Sequence, residues 1–214
     1  MTRLAYLHGF ASGPGSTKAQ FFKARFAAER GAELLVPDLA PDFTHMTIGS
    51  MLAIVDAILD DGPTVLFGSS LGGYMAALAA ARRPDRVPAL VLLAPAFDFA
   101  ARWERSVGAE AMTKWRQRGM APIYHYGRDR EEDLSIALLD DARTYPAEPD
   151  PSCPALVLHG RRDDAVPLAA AEAFAARRAD LRRLVVYDAG HELTEVLEPL
   201  WTESTVFLAA HGLV

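Results

Sequence analysis

A serine between two glycines is the residue pattern with the clearest chemical meaning in this chain. Ser70 occupies the centre of a G-x-S-x-G pattern, Gly68-Ser69-Ser70-Leu71-Gly72. An apolar run at 64–67 precedes the pattern and a helical segment follows it, which is the strand, turn and helix context that an exposed nucleophilic serine requires. The two glycines lack the β-carbon that would prevent so sharp a turn from closing. The sequence therefore predicts Ser70 as a nucleophile, the alternative being an ordinary glycine-rich turn. Ser69 has no glycines two positions away and is expected to pack beneath the turn.

A serine hydroxyl needs a histidine base and an acid that orients the base. We expect the base after the last strand, where His191 follows the apolar run 184–187. The acid is expected after the preceding strand, where Asp163 and Asp164 are adjacent. Asp163 is preferred because of its position midway along that loop, and Asp164 is expected to cap the turn or the helix that follows. Asp98, which follows an earlier strand, is the remaining alternative.

Acyl transfer also needs hydrogen-bond donors where negative charge develops on the carbonyl oxygen. One donor is expected to be the backbone amide of Leu71, directly after the nucleophile. The second is expected in the loop after the first strand, where the amide of Phe10 follows Gly9. Gly13 and Gly15 could instead form a phosphate-binding loop, but the required lysine and G-x-G-x-x-G spacing are absent, which argues against that alternative.

The elements that must position these groups alternate between short apolar runs and longer helical segments. This alternation predicts an α/β fold, with a mostly parallel sheet of about six strands and helices on both faces. Right-handed crossovers would bring the carboxyl ends of all strands to one edge of the sheet, where ligands of such folds bind. The predicted strands are 4–8, 33–37, 64–68, 89–94, 155–159 and 184–188, and the predicted helices are 17–30, 48–60, 71–82, 167–178 and 195–211.

One region, at about 97–150, interrupts the alternation and is long for a simple crossover. The pattern predicts a small helical insertion that acts as a lid, with helices at 99–117 and 134–142 and a short strand at 123–126. Its apolar side chains could line an acyl pocket, could simply pack the insertion onto the body, or could cover a second copy in a homodimer. The candidate substrate-binding residues are Phe97, Trp103, Met112, Trp115 and Tyr124.

Length and composition restrict the class of protein. The 214 residues fit a single domain around one core, with the insertion as part of it. A formal net charge of −6 argues against nucleic acid or an anionic membrane as a partner. The one cysteine, Cys153, excludes an intramolecular disulfide, and with no signal sequence at the amino terminus it predicts a cytoplasmic protein. No metal or cofactor is expected, and the oligomeric state is open between monomer and homodimer.

At this point the motifs resemble those of the α/β-hydrolase superfamily, and more closely its small bacterial esterases of the YqiA type and compact acyl-thioesterases. The order of nucleophile, acid and base is the order of that superfamily. The resemblance implies a minimal α/β-hydrolase fold, since the first strand begins almost at residue 1 and the opening hairpin of larger members is missing. The motifs that carry it are Tyr6-Leu7-His8-Gly9-Phe10 with Ser16 and Lys18, Gly68-Ser69-Ser70-Leu71-Gly72-Gly73-Tyr74, His159-Gly160 with Asp163, Val166 and Pro167, and Gly190-His191.

The function expected from these residues is hydrolysis of a carboxylic ester with a small hydrophobic acyl group. Ser70, His191 and Asp163 would form the catalytic triad, and the reaction would pass through an acyl-enzyme. An acyl-thioesterase that removes acyl groups from carriers or protein cysteines would use the same residues and stays open. A ligand-binding module on a hydrolase fold, without turnover, is the alternative from another class.

Overall fold

A six-stranded parallel sheet forms the centre of the protein, for which a computed structural model describes residues 2–213. The strand order is β2-β1-β3-β4-β7-β8, and every neighbouring pair is parallel. This arrangement confirms the predicted fold class. The strands are β1 (Arg3–Leu7), β2 (Leu34–Leu35), β3 (Thr64–Ser69), β4 (Leu90–Leu93), β7 (Ala155–Gly160) and β8 (Arg182–Tyr187).

Helices cover both faces of the sheet because its strands carry apolar side chains on both sides. In β3, Val65 and Phe67 pack against the helices at 17–30 and 197–210, whereas Leu66 points to the opposite face, toward the helices at 48–60, 71–82 and 168–177. No helix among the described residues is both long and apolar enough to cross a membrane. The helices that cover the sheet are α1 (Thr17–Arg30), α2 (Ile48–Asp60), α3 (Leu71–Arg82), α7 (Leu168–Arg177) and α8 (Leu197–Ala210), the last preceded by a 3₁₀ turn at Thr194–Val196.

The insertion between β4 and β7 contains an antiparallel hairpin as well as helices. Its elements are α4 (Phe99–Val107), α5 (Ala109–Arg118), β5 (Met120–His125), β6 (Arg130–Ser135) and α6 (Ala137–Ala142). The predicted single helix at 99–117 is divided at Gly108, whose φ of 83° ends one helix and begins the next. The predicted helix at 134–142 begins later, because its first two residues belong to β6, a strand that the charged sequence Arg-Glu-Glu-Asp did not indicate.

The sharp turn after β3 depends on its glycines. A β-carbon on Gly68 would overlap the backbone of Gly72, and one on Gly72 would overlap the carbonyl oxygen of Leu7. The start of α3 therefore lies directly against both β3 and β1. This close approach brings the turn next to the loop that follows β1.

Replacement of Gly68 with alanine is expected to destabilise the protein by about 1–3 kcal/mol, because the overlap is with backbone and cannot be relieved by a change of rotamer. Gly15 offers a matched control, since a β-carbon there meets no atom within 4 Å. Thermal unfolding of both variants checks this expectation. Equal melting temperatures for Gly68→Ala and Gly15→Ala would contradict it.

Candidate active site

Ser70 lies at the turn between β3 and α3 in a strained backbone conformation, with φ 52° and ψ −118°. Hydrogen bonds hold this strain in place. The Ser70 amide donates to the carbonyl of Leu93 at 2.9 Å, and the Ser70 carbonyl accepts from the amides of Gly73 at 2.9 Å and Ala96 at 3.0 Å. The side chain is consequently directed out of the turn at the carboxyl edge of the sheet.

The structure brings Ser70, His191 and Asp163 together in one hydrogen-bonded series. Nε2 of His191 lies 3.0 Å from Oγ of Ser70, and Nδ1 lies 2.8 Å from Oδ2 of Asp163. An ionised carboxylate can only accept, so Nδ1 carries the proton and Nε2 is free to accept from the serine hydroxyl. The three residues are thus arranged for proton transfer from Ser70 to His191.

Asp163 is held as a carboxylate by four donors. Its Oδ1 accepts from the amides of Ala165 at 3.0 Å and Val166 at 2.7 Å. Its Oδ2 faces His191 and also lies 3.3 Å from Nε2 of His159. Burial by itself raises the pKa of Asp163, but the hydrogen bonds from His159, His191 and Val166 outweigh it and lower the pKa below the ordinary range of a carboxyl group. The group that faces His191 is therefore negatively charged at neutral pH.

The alternative acids have other contacts. Asp164 is exposed, and α7 has no side-chain hydrogen bond at its amino-terminal cap. Asp163, rather than Asp164, caps the loop, so the expected capping role of Asp164 is wrong. Asp98 forms an ion pair with Arg105 at 3.0 Å.

Cys153 is buried, and burial raises the pKa of its thiol to about 11, which leaves it protonated at neutral pH.

The predicted oxyanion donors lie on the two loops that meet at Ser70. A β-carbon built on Gly9 would lie 3.5 Å from the Ser70 β-carbon, which places the loop after β1 beside the nucleophile. The amide groups of Phe10 and Leu71 donate to no acceptor within residues 2–213. Leu71 is the first residue of α3, so its amide has no partner inside the helix.

A cleft of about 1190 Å³ opens over these groups. Ser70 and His191 lie on its wall, and the amino-terminal turn of α1 and the tip of the β5–β6 hairpin form other parts of it. Many of its lining residues are small or polar, and its large aromatic residues are Tyr6, Phe10 and Tyr126. The hairpin tip is attached to the loop after β1, because the amide of Gly127 donates to the carbonyl of Ala11 at 3.3 Å.

The five residues predicted to bind substrate do not line this cleft. Phe97 is buried in a stack on Phe174 with ring centroids 4.6 Å apart, and Met112 is buried in the core. The indole of Trp103 packs edge-on against Phe10, with ring centroids 4.3 Å apart. These contacts correct the expectation, because the apolar side chains attach the insertion to the body and do not form an acyl pocket.

The remaining two aromatic residues of that prediction have polar partners of their own. The indole N–H of Trp115 donates to the carbonyl of Leu134 at 3.0 Å inside the core. Tyr124 is exposed on the hairpin, and its hydroxyl contacts Asp129. Helical spacing identified an apolar face correctly, but it could not show that the face was already covered by neighbours in the body and in the insertion.

Two residues near the site carry interactions that the sequence reasoning did not anticipate. His159, predicted only as the end of a strand, is fully buried beside Asp163. Its Nε2 lies 2.9 Å from the carbonyl oxygen of Val166. Lys18, at the start of α1, is buried and contacts Glu192, the residue after His191. The only signal in the sequence was their presence within the motifs that carried the family resemblance.

Comparison with known proteins identifies the family to which the chain belongs and a curated relative. Residues 3–207 match UPF0227, described as an uncharacterised protein family. A curated relative, the mitochondrial palmitoyl-protein thioesterase ABHD10 of Bos taurus, is 32% identical over 128 residues. That alignment covers 56% of this chain and 42% of the bovine protein, so the chain spans less than half of that relative's length.

Solved structures show the same fold at low sequence identity. Mouse α/β hydrolase domain-containing protein 10 superposes with a TM-score of 0.73 at 23% identity, covering 95% of this chain and 88% of that one. The esterase Est1E of Butyrivibrio proteoclasticus with bound ferulic acid gives a TM-score of 0.79 at 21% identity, covering 99% and 89%. The fold is therefore that of the α/β hydrolases.

Proposed function

Because the chain belongs to the uncharacterised protein family UPF0227, which does not by itself define an activity, we propose from the site that it is a serine hydrolase of carboxylic esters or thioesters. The observation that carries this proposal is the series from Ser70 through His191 to Asp163, with separations of 3.0 and 2.8 Å. The thioesterase and esterase named among the similar proteins support the same reaction class. A binding module without turnover would not require all three groups in this order.

In the proposed reaction, Oγ of Ser70 attacks the acyl carbonyl carbon while Nε2 of His191 takes the hydroxyl proton. The amides of Phe10 and Leu71 stabilise the oxyanion that develops. As the bond from carbon to the leaving oxygen or sulfur breaks, His191 returns the proton to the leaving group. Water then gives a proton to Nε2 of His191 while its oxygen bonds to the acyl carbon. The bond from this carbon to Oγ of Ser70 breaks, His191 passes the proton to Oγ, and the acid leaves.

The substrate of first choice is an ester with a small acyl group, in a cytoplasmic enzyme that needs no cofactor. The cleft walls beside Ser70 consist of polar and glycine-rich loops, and the aromatic residues of the insertion are occupied by packing against one another. Phe10 and Tyr126 supply aromatic surface in this cleft, but the buried aromatic residues of the insertion do not extend it, which favours a short hydrophobic acyl group over palmitate. A thioester of a similar acyl group is the second candidate, favoured by the 32% identity to the bovine thioesterase.

An ester and a thioester that carry the same acyl group, measured over a series of chain lengths, test the proposal. We expect kcat/KM to rise with each methylene that the cleft covers and to level off for longer chains, because only a methylene removed from water contributes transfer free energy. A rise that continued to palmitate would contradict the short acyl site. Equal rates along the series would contradict the small acyl pocket. A fluorophosphonate adduct on Ser70 would establish the activated nucleophile, and its absence on folded protein would favour the binding module.

A further inference from the structure

Lys18 is a buried cation close to the catalytic histidine, although it belongs to the opposite end of the chain. It is the second residue of α1, and its side chain is 8% exposed. A buried ammonium group is costly unless hydrogen bonds replace its water. The groups that replace water here belong to Glu192, directly after His191, so the reason for burying this charge lies in the loop that carries the base.

The contact with Glu192 has two parts of different character. The ammonium donates to the backbone carbonyl of Glu192, and it pairs with the Glu192 carboxylate at 3.1 Å. The carboxylate is 74% exposed, so water weakens that pair. The carbonyl has no such competition from within the chain, because no backbone amide of residues 2–213 donates to it. Lys18 is therefore its principal partner.

The loop from β8 to α8 is attached before His191 by a separate contact. The amide of Arg162 donates to the carbonyl of Ala189 at 3.0 Å, and a β-carbon on Gly160 would overlap that same carbonyl. Beyond His191, Leu193 enters the core with no exposed surface. The peptide bond between Glu192 and Leu193, one residue after His191, lies between these attachments, and Lys18 holds its carbonyl from the side of α1.

We propose that Lys18 is a positioning residue that fixes this peptide and thereby keeps the imidazole of His191 between Ser70 and Asp163. The inference rests on the proposed hydrolase function and adds a role for a residue outside the triad. Lys18 acts through His191 rather than on the substrate. Loss of its ammonium leaves Ser70 and Asp163 unchanged and releases only the base between them.

The test compares Lys18→Met with Lys23→Met, a matched control that removes an exposed lysine from the same helix. Methionine fills the space of the lysine stem without a donor. We expect Lys18→Met to lower kcat for a short ester by about 10²-fold, since a misplacement of about 1 Å in the reacting geometry has this effect. KM is expected to stay within about threefold of the Lys23→Met value, because the Lys18 ammonium is bound to Glu192 and methionine keeps the part of the cleft wall that the lysine stem forms.

An independent readout is the downfield proton NMR signal of His191 Nδ1–H in its hydrogen bond to Asp163. We expect this signal in the wild type and in Lys23→Met, and a broadened or missing signal in Lys18→Met. An unchanged signal, a kcat within about threefold of the control, or a loss that falls on KM alone would each overturn the proposal. The last result would indicate contact with substrate instead.

Two further outcomes are separable. If Lys18→Met does not fold, Lys18→Gln is measured in its place. The glutamine side chain is neutral and one bond shorter than that of lysine, so its amide does not reach the Glu192 carbonyl. A roughly tenfold loss of kcat is expected. Full activity in Lys18→Gln would overturn the proposal. If the wild-type protein turns over no ester and takes no fluorophosphonate label, the hydrolase function fails, and the NMR signal alone still decides whether Lys18 holds His191.

Discussion

Ser70→Ala is expected to lower the turnover of a short ester by a factor of about 10⁶, to the level left by the oxyanion donors and substrate binding alone. The loss is this large because Ser70 supplies the one hydroxyl that is hydrogen-bonded to His191 within residues 2–213. Nε2 of His191 lies 3.0 Å from Oγ of Ser70, and the strained φ of 52° at this residue directs the side chain toward the base. Alanine removes the nucleophile and keeps the backbone of the turn.

Ser69→Ala is the matched control, because it removes the neighbouring hydroxyl from the end of β3. We expect Ser69→Ala to keep turnover within about tenfold of the wild type and to take a fluorophosphonate label, whereas Ser70→Ala takes none. Melting temperatures establish that both variants fold. Labelling of Ser70→Ala, or loss of labelling only in Ser69→Ala, would move the nucleophile to another residue.

The proximity of Ser70, Asp163 and His191 could be predicted because each depends on a local pattern and on the order of strands. The glycines around Ser70 define a turn that few sequences can form, and the structure shows that a β-carbon at Gly68 has no space. Asp163 and His191 each follow a strand, β7 and β8, which are neighbours in the sheet. Parallel strands bring their carboxyl ends to one edge, so proximity in space followed from topology.

The insertion could not be predicted to the same depth, because its packing depends on contacts between residues far apart in sequence. Apolar residues at helical spacing identify a face but not the surface that covers it. Trp103 packs against Phe10, which lies about ninety residues earlier in the chain. The indole N–H of Trp115 donates to the carbonyl of Leu134 in β6. The strand β6 itself is mostly charged and exposed, so its pairing with β5 leaves little apolar signal.

The contacts of Lys18 and His159 could not be predicted from the sequence, for a related reason. A lysine in the first turn of a helix usually indicates an exposed side chain. Lys18 is buried only because a loop from the other end of the chain closes over it. His159 is buried because its strand lies inside the sheet, and its contact with Asp163 arises from the turn between them. Neither contact can be obtained from spacing alone.

Asp163→Asn is expected to lower kcat by about 10⁴-fold through the wrong tautomer of the histidine base. In the wild type, Oδ2 of Asp163 accepts from Nδ1–H of His191 at 2.8 Å, which leaves Nε2 free to accept the proton of Ser70. The amide oxygen of asparagine is retained at the position of Oδ1, because the amides of Ala165 and Val166 donate there. Its NH₂ group then faces Nδ1, which must accept, so the proton resides on Nε2.

The two oxygens of Asp163 therefore separate a structural from a catalytic contribution. Asparagine keeps the loop bonds made by Oδ1, so Asp163→Asn should melt close to the wild type while its kcat falls. Asp163→Ala loses both sets of bonds and should show a similar loss of kcat with a melting temperature lowered by several degrees, since unpaired buried amides cost about 1–3 kcal/mol each. Asp164→Asn, at the adjacent exposed position, should keep turnover within about tenfold of the wild type. If Asp163→Asn retained the turnover of Asp164→Asn, His191 would not need the carboxylate, and the acid of the triad would have to be sought elsewhere.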